Sequence, residues 1–152
     1  MNEDAAARRI REFAIAALAR REHSCVELQR KLAAKGFDVP DIEVQLNRLA
    51  TERLQDDGRF AESYINHRAG RGYGPLKIRA ELRMRGVDEA VTNRSFEMLD
   101  IDWDERAEGV WRKKFSDAPK NFSDYAKQAR FLQYRGFSSD QVARILNAEH
   151  FA

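Results

Sequence analysis

The chain has 152 residues, of which 43% are hydrophobic and 34% are charged. This composition is sufficient for a packed core and excludes wholesale disorder, while three prolines and eight glycines exclude collagen-like and low-complexity chains. No apolar run approaches the ~18 residues that a membrane span requires. Because 27 basic residues are balanced by 25 acidic ones, the net charge of +2 does not by itself indicate a nucleic-acid binder.

The N-terminus and the cysteine content indicate where the protein works. The chain begins with Met1-Asn2-Glu3-Asp4, which lacks the basic and then apolar layout of a secretory signal peptide. Its one cysteine, Cys25, cannot form an internal disulfide, which suits a reducing compartment. We therefore expect a soluble, cytoplasmic protein.

Apolar residues follow helical spacing along nearly the whole chain, beginning with Ile10, Phe13, Ala14 and Ala17. No segment alternates apolar and polar residues for long enough to predict a strand. The pattern predicts an all-α fold with helices at about 8–21, 24–35, 39–53, 57–69, 75–85, 88–99, 104–115, 122–134 and 139–148.

Residues at the predicted helix ends support these boundaries. Ser24 and Glu27 form the pattern of a capping box, as do Ser138 and Gln141. Pro75 suits a first helical position, where its missing N–H costs no hydrogen bond. Three glycines that follow a basic residue suit the left-handed conformation of a helix C-terminus, namely Gly36, Gly86 and Gly136.

The same glycines reveal an internal repeat, because they lie 50 residues apart, twice. Each is preceded by a leucine four residues earlier and followed directly by a large apolar residue; these are Leu32 and Phe37, Leu82 and Val87, and Leu132 and Phe137. Such self-similarity is typical of repeat arrays. We predict three tandem three-helix repeats, at 7–55, 56–100 and 101–150, arranged in an elongated, curved array.

No residue pattern points to catalysis, a metal site or a cofactor. The three histidines lack metal-ligand spacing, and Asp56 and Asp57 are interpreted as helix-capping residues. Cys25 occupies a first helical turn, where the pKa of a thiol can fall, but no clear base accompanies it. The glycine-rich stretch 70–75 lacks a phosphate-loop pattern and is interpreted as a turn, although its helix N-terminus could accept a phosphate or carboxylate. We expect a protein that is not an enzyme.

Aromatic residues are assigned mainly to packing. We expect Trp111 and Phe115 to fill the core of the third repeat, and Trp103 to pack between repeats. Tyr73 and Tyr134 border basic residues, so they either cover the core or stack on nucleic-acid bases.

Basic residues are concentrated in two segments. Residues 59–86 carry seven basic residues against two acidic ones, and a second basic cluster lies at 112–114. Solvated helix faces and binding surfaces both produce such clusters. If they bind, arginine suits carboxylate or phosphate because its planar group contacts two oxygens at once. The candidate partner-binding residues are Arg68, Arg71, Lys77, Arg79, Arg83, Arg85, Arg112, Lys113, Lys114 and Arg130.

Together with the repeat, one stretch of sequence resembles the RecX family, whose members regulate the recombinase RecA. The resemblance rests on an acidic pair followed by Arg-Phe-Ala and a tyrosine helix at 56–64, then Arg68, then an Ile-x-x-x-Leu-x-x-x-Gly helix within 77–87. Segments 20–37 and 127–137 resemble the first and third repeats of the family, so the likeness spans about residues 10 to 147.

The resemblance implies a tandem-repeat protein that binds RecA and the RecA filament on single-stranded DNA. It also implies that filament extension, ATP hydrolysis, strand exchange and co-protease activity are inhibited, which regulates DNA repair and the SOS response. No cofactor and no membrane is implied, and we expect a monomer. Weak direct DNA binding is left open.

Two other functions are compatible with the sequence. Each helix–glycine–helix corner resembles a helix-turn-helix, so the chain could be a DNA-binding module. Against this, the third helices of the repeats are poor in basic residues. Alternatively, the helical repeats could serve as an adaptor for an unrelated protein.

Overall fold

The computed structural model describes residues 3–146, which form helices and no strand. The helices are α1 (Glu3–Arg20), α2 (Cys25–Ala34), α3 (Val39–Thr51), α4 (Asp57–Gly70), α5 (Pro75–Met84), α6 (Glu89–Leu99), α7 (Trp103–Lys114), α8 (Phe122–Tyr134) and α9 (Ser139–Leu146). The all-α prediction is confirmed. None of these helices is long and apolar enough to cross a bilayer.

The predicted helix boundaries agree with the structure to within two residues at most ends. The exception is α1, which begins at Glu3 rather than at residue 8. Its first turns contain three consecutive alanines, and alanine has the highest helix propensity. The segment is therefore helical although it lacks the apolar spacing from which the helix was predicted. The predicted end of the last helix, at residue 148, lies outside the described residues.

The expected capping interactions are present. Glu27 N donates to Ser24 Oγ and Ser24 N donates to Glu27 Oε1, both at 3.0 Å, which completes a capping box at α2. The Ser138–Gln141 pair forms the same reciprocal bonds at α9, at 2.8 and 3.1 Å. Helix α5 begins at Pro75. The C-terminal glycines have the left-handed φ that was expected, +94° at residue 36, +78° at residue 86 and +105° at residue 136.

Contacts divide the chain into two compact units. The N-terminal unit contains the residues up to Ser63 together with Leu82–Glu97, and the C-terminal unit contains Tyr64–Glu81 together with the residues from Met98 onward. All three divisions, after residues 63, 81 and 97, fall inside the predicted second repeat, so α4, α5 and α6 contribute residues to each unit. The repeat boundaries at 7–55, 56–100 and 101–150 stay a prediction.

The N-terminal unit is built around an aliphatic core from α1, α2 and α3. Its fully buried residues include Ile10, Leu28, Leu32, Ile42 and Leu49. These positions recur at three- and four-residue spacing, so each helix turns one apolar stripe toward the other two. Burial of such side chains is the main stabilising contribution to this unit.

The C-terminal unit has its own core, formed by Ala107, Ala129, Leu132, Phe137, Val142 and Leu146 from α7, α8 and α9 and the turn before α9. Trp111 packs against this cluster, as expected, and its Nε1 donates to Gln128 Oε1 at 2.7 Å. Phe115 is half-buried and meets Phe131 edge to face at 5.5 Å. Trp103 packs against the core cluster of its own repeat, and its packing between repeats stays a prediction.

The same kind of contact between neighbouring repeats occurs in both units, at positions that differ by 50 residues. In the N-terminal unit, Ser24 Oγ donates to Arg85 O at 2.7 Å. In the C-terminal unit, Gly74 N donates to Arg135 O, also at 2.7 Å. In both cases the start of the second helix of one repeat lies against the glycine corner of the next repeat. The repeated glycines therefore serve this close approach as well as ending their helices.

Candidate partner-binding surface

Arg68, one of the predicted binding residues, is directed into the C-terminal unit. Its Nε and Nη2 donate to Glu81 Oε1 and Oε2, both at 2.8 Å, and its guanidinium lies 3.8 Å from the ring centroid of Tyr73. The Arg68 and Glu81 side chains are only 20% and 19% exposed, and Tyr64 OH donates to the same carboxylate. The bonds to Glu81 raise the pKa of Arg68. This side chain joins α4 to α5.

Lys77 lies in a group of aromatic and basic side chains that we name the cation–aromatic strip, consisting of Tyr73, Lys77, Tyr134 and Arg135. Lys77 Nζ is 5.3 Å from the ring centroid of Tyr73 and 4.7 Å from that of Tyr134, and Arg135 Cζ is 5.1 Å from that of Tyr73. Tyr73 is half-buried, whereas Tyr134 is 77% exposed. The expectation that Tyr134 covers the core was wrong, because little of it is buried.

Four of the predicted residues are exposed and form neither an ion pair with a described carboxylate nor a contact with a described aromatic ring; they are Arg71, Arg83, Lys113 and Arg130. Three of them lie at or just after the C-terminal end of a helix, where a cation is favoured by the helix dipole. Their charged groups can bind a partner without first breaking an ion pair with a described carboxylate.

The remaining predicted residues already have contacts within the chain. Arg112 Nη2 lies 2.6 Å from Glu108 Oε1 in a highly exposed pair along α7, and Arg85 Nε lies 3.8 Å from Glu27 Oε2. The exposed Arg112–Glu108 pair contributes little free energy, so a partner can replace it at small cost, whereas the Glu27 side chain is only 15% exposed. Lys114 Nζ lies 5.6 Å from the ring centroid of Phe131, and Arg79 is half-buried.

Sequence reasoning missed Arg135 and Arg106 as surface cations. Arg135 was treated only as a helix-ending residue, yet its guanidinium lies 5.3 Å from the Phe131 ring centroid as well as close to Tyr73. Its position 50 residues after Arg85 and next to Tyr134 was the available signal. Arg106 was overlooked because it stands within an acidic stretch of sequence.

The environment of Cys25 is that of a structural cysteine rather than of an activated thiol. Burial, assisted by the nearby charge of Asp57, raises the pKa of the thiol, whereas a helix N-terminus alone would lower it. Asp57 Oδ1 accepts hydrogen bonds from Cys25 N and Gln55 Nε2, at 2.9 and 2.8 Å, and Asp56 Oδ1 accepts from Arg59 N in the first turn of α4. The interpretation of this acidic pair as structural is confirmed.

The histidines and the glycine-rich turn were also considered as metal or phosphate sites. His23 is buried, His67 is exposed, and His150 lies outside the described residues. Within residues 4–146, no three His, Cys, Asp or Glu side chains are grouped closely enough to hold a metal ion. In the glycine-rich turn, Gly74 N is committed to Arg135 O, so this amide is not free for a phosphate.

Comparisons with known proteins extend over the repeats. Models of the first, second and third three-helix domains of RecX match residues 11–49, 56–94 and 100–146. A crystal structure of RecX from Lactobacillus salivarius is similar with a TM-score of 0.82 at 21% identity, covering 95% of this chain and 96% of that one. The likeness to this structure confirms the fold of helical repeats.

Two curated relatives are similar in sequence over nearly the full chain. The regulatory protein RecX of Pseudomonas putida strain GB-1 is 45% identical over 139 residues, which cover 91% of this chain and 89% of that protein. The regulatory protein RecX of Pseudomonas entomophila strain L48 is 44% identical, with 91% and 90% covered. Both are named as regulatory proteins rather than enzymes. With the family models matched in order along the chain, this similarity shows that the protein belongs to the RecX family of regulatory proteins.

Proposed function

We propose that this chain is a cytoplasmic regulator that binds RecA and the RecA filament on single-stranded DNA. Bound there, it inhibits filament extension and with it ATP hydrolysis, strand exchange and co-protease activity, so that DNA repair and the SOS response are restrained. The identity to RecX regulatory proteins over 91% of the chain supports this proposal, because RecA regulation is what the family resemblance implies.

The observation that carries the proposal is the set of exposed cations without internal carboxylates. Arg83 lies in the N-terminal unit, and Arg71, Lys113 and Arg130 lie in the C-terminal unit. Because exposed charge pairs contribute little individually, a firm complex needs several of them acting together. Each unit carries such exposed cations, which can bind the carboxylates of a protein or the phosphates of DNA.

The decisive experiment is the rate of ATP hydrolysis by RecA on single-stranded DNA, measured with and without this protein. Suppression at substoichiometric amounts is the expected result, since a regulator that blocks filament extension acts on many subunits at once. Binding of this protein alone to single-stranded and duplex DNA is the control. No suppression at several-fold excess would overturn the proposal, whereas suppression that matches tight, salt-sensitive binding to bare DNA would identify a DNA-binding module instead.

A charge-reversal variant connects the activity to the exposed cations. Arg83→Glu combined with Arg130→Glu changes two residues that form no ion pair with a described carboxylate, so the variant should inhibit RecA less while keeping its helicity. Arg8→Glu with Arg20→Glu is the matched control, since both residues are exposed on α1 and the change in net charge is the same. Equal inhibition by the two variants would remove Arg83 and Arg130 from the binding surface.

Direct contact with single-stranded DNA is a second activity that one observation favours. Tyr134 exposes 77% of its surface and lies beside Lys77, so a base could stack on the ring while the ammonium group meets a phosphate. Tyr134→Ala should then weaken binding to oligothymidylate, measured by fluorescence anisotropy, and Tyr134→Phe should preserve it. Equal binding by all three proteins would exclude the ring as a base-stacking site.

A further inference from the structure

The C-terminal unit contains an open groove with a volume of about 1040 Å³. It is lined by the C-terminal part of α4 and the residues after it, by the end of α6 and the turn before α7, by α7 itself, and by Phe131 of α8 and Arg135 just after α8. Most of the candidate residues derived from the sequence lie outside this groove; Arg71, Lys113 and Lys114 are the ones that line it.

Positive charge dominates the rim of the groove. Five cations line it, namely Arg71, Arg106, Lys113, Lys114 and Arg135, against the two carboxylates of Asp102 and Glu105. One of these carboxylates, Asp102, is already engaged within the chain, because its Oδ1 accepts from Glu105 N and caps α7. Arg71, Arg106 and Lys113 form no ion pair with a described carboxylate. The groove therefore favours an occupant with negative charge.

Apart from Asn66 and three glycines, the uncharged lining of the groove is apolar and mostly aliphatic. Leu99, Ile101 and Val110 line it and are half-buried, so each retains surface that a ligand could cover. Phe131 is the aromatic residue that lines it, and its ring is already approached by Lys114 and Arg135 and, edge to face, by Phe115. The groove thus offers aliphatic contacts rather than a free aromatic face.

We propose that this groove docks an acidic polypeptide segment that also carries aliphatic side chains. Carboxylates of the segment pair with Arg71, Arg106 and Lys113, and its aliphatic side chains cover Leu99, Ile101 and Val110. Single-stranded nucleic acid would satisfy the cations equally well, but it gains affinity by stacking bases on exposed aromatic rings, and the Phe131 ring is half-buried and already contacted by Lys114, Arg135 and Phe115. The proposal does not depend on the identity of the partner protein.

The test uses a fluorescein-labelled peptide of about ten residues, enough to extend along the groove, with one leucine for every two glutamates. Its anisotropy is measured with the full chain, beside a peptide with lysine for glutamate, a peptide with serine for leucine, and oligothymidylate of equal length. Saturable binding of the glutamate–leucine peptide is expected, with weaker binding of the serine peptide and none of the lysine peptide.

Variants of the rim assign the binding to the groove. Arg71→Glu with Lys113→Glu should raise the Kd of the acidic peptide roughly tenfold or more, whereas the control variant Arg8→Glu with Arg20→Glu should leave it unchanged. Glu105→Gln should lower the Kd of the acidic peptide, because it removes from the rim a negative charge that repels the peptide. If the reversal variant loses helicity, Arg71→Gln with Lys113→Gln provides the same comparison with a smaller change.

Three results would overturn the inference. They are the absence of saturable binding of the glutamate–leucine peptide, equal binding by the wild-type chain and the Arg71/Lys113 variants, and tighter binding of oligothymidylate that is lost in those same variants. Since RecA is not in the assay, failure here leaves the proposed regulation of RecA intact, and failure of RecA inhibition leaves this inference intact.

Discussion

Glu81 organises the side chains between α4 and α5, because one carboxylate accepts hydrogen bonds from both Arg68 and Tyr64. Removing the arginine would take two charge-assisted hydrogen bonds from a carboxylate that is only 19% exposed. Arg68→Ala should therefore lower the free energy of unfolding by about 2 kcal/mol, as measured by urea titration. Arg130→Ala, on an exposed arginine, is the control and should change it little. A negligible loss for Arg68→Ala would mean that the pair contributes no more than a surface ion pair.

His23 makes stability depend on pH in a defined direction. The ring is 1% exposed, its Nδ1 lies 3.1 Å from Arg21 O, and its Nε2 lies 2.9 Å from Lys31 Nζ. The lysine donates to Nε2, so the ring is neutral and its Nδ1–H donates to the carbonyl. Burial first, then the charges of Arg21 and Lys31, lowers the pKa of His23 below its ordinary value of 6.5, although the carbonyl bond and Glu27 oppose this.

A lowered pKa means that the unfolded chain binds this proton more readily than the folded chain. The contribution of His23 is therefore fully present above about pH 6.5 and is lost as the pH falls from there toward the folded pKa. Urea unfolding along a pH series should show this decline in the wild-type chain and a shallower one in His23→Gln. His67→Gln, on an exposed residue of α4, should keep the wild-type dependence. An unchanged slope in His23→Gln would assign the decline to other groups.

At the scale of helices, glycines that share a left-handed φ have two different roles. Gly36 and Gly86 both have left-handed φ, yet a Cβ at Gly36 would meet nothing within 4 Å, while one at Gly86 would overlap the side chain of Val26. Gly36→Ala should cost about 1 kcal/mol of stability from the backbone alone. Gly86→Ala should cost about 3 kcal/mol, because steric overlap adds to the same strain. Thermal or urea unfolding measures both, and equal losses would show that the Gly86 junction yields without cost.

At the scale of the whole molecule, the exposed cations belong to both compact units, with Arg83 in one and Arg130 in the other. If inhibition of RecA arises from many modest contacts, each single reversal to Glu should raise the half-inhibitory concentration only about two- to fivefold. The effects should multiply in the double variant, because independent contributions add as free energies. The half-inhibitory concentration in the RecA ATPase assay gives all three values. A full effect from one residue alone would indicate a localised binding site instead.

The sequence by itself determined the helices, their ends and the repeat, because these depend on interactions between near neighbours. Apolar spacing of three and four residues, the Ser24 and Ser138 capping boxes and Pro75 each act within a few residues, and the structure has the helices at the expected places. The period of 50 residues also follows from the sequence alone, and the domain models confirm three repeats.

Only the tertiary structure decided which cations face outward and how the repeats meet. Arg68 and Arg71 belong to the same basic stretch, yet one is bound to Glu81 and the other has no carboxylate within the described chain. Arg135 reaches Tyr73, more than 60 residues away, and the groove that it lines brings together three separate segments, within 66–72, 99–114 and 131–135. Which positive charges are available to a partner depends on such distant contacts. A cation is buried where a carboxylate and an aromatic ring offset the free energy lost when its hydration is removed. Composition and periodicity carry no information about which distant residues will contact a given cation.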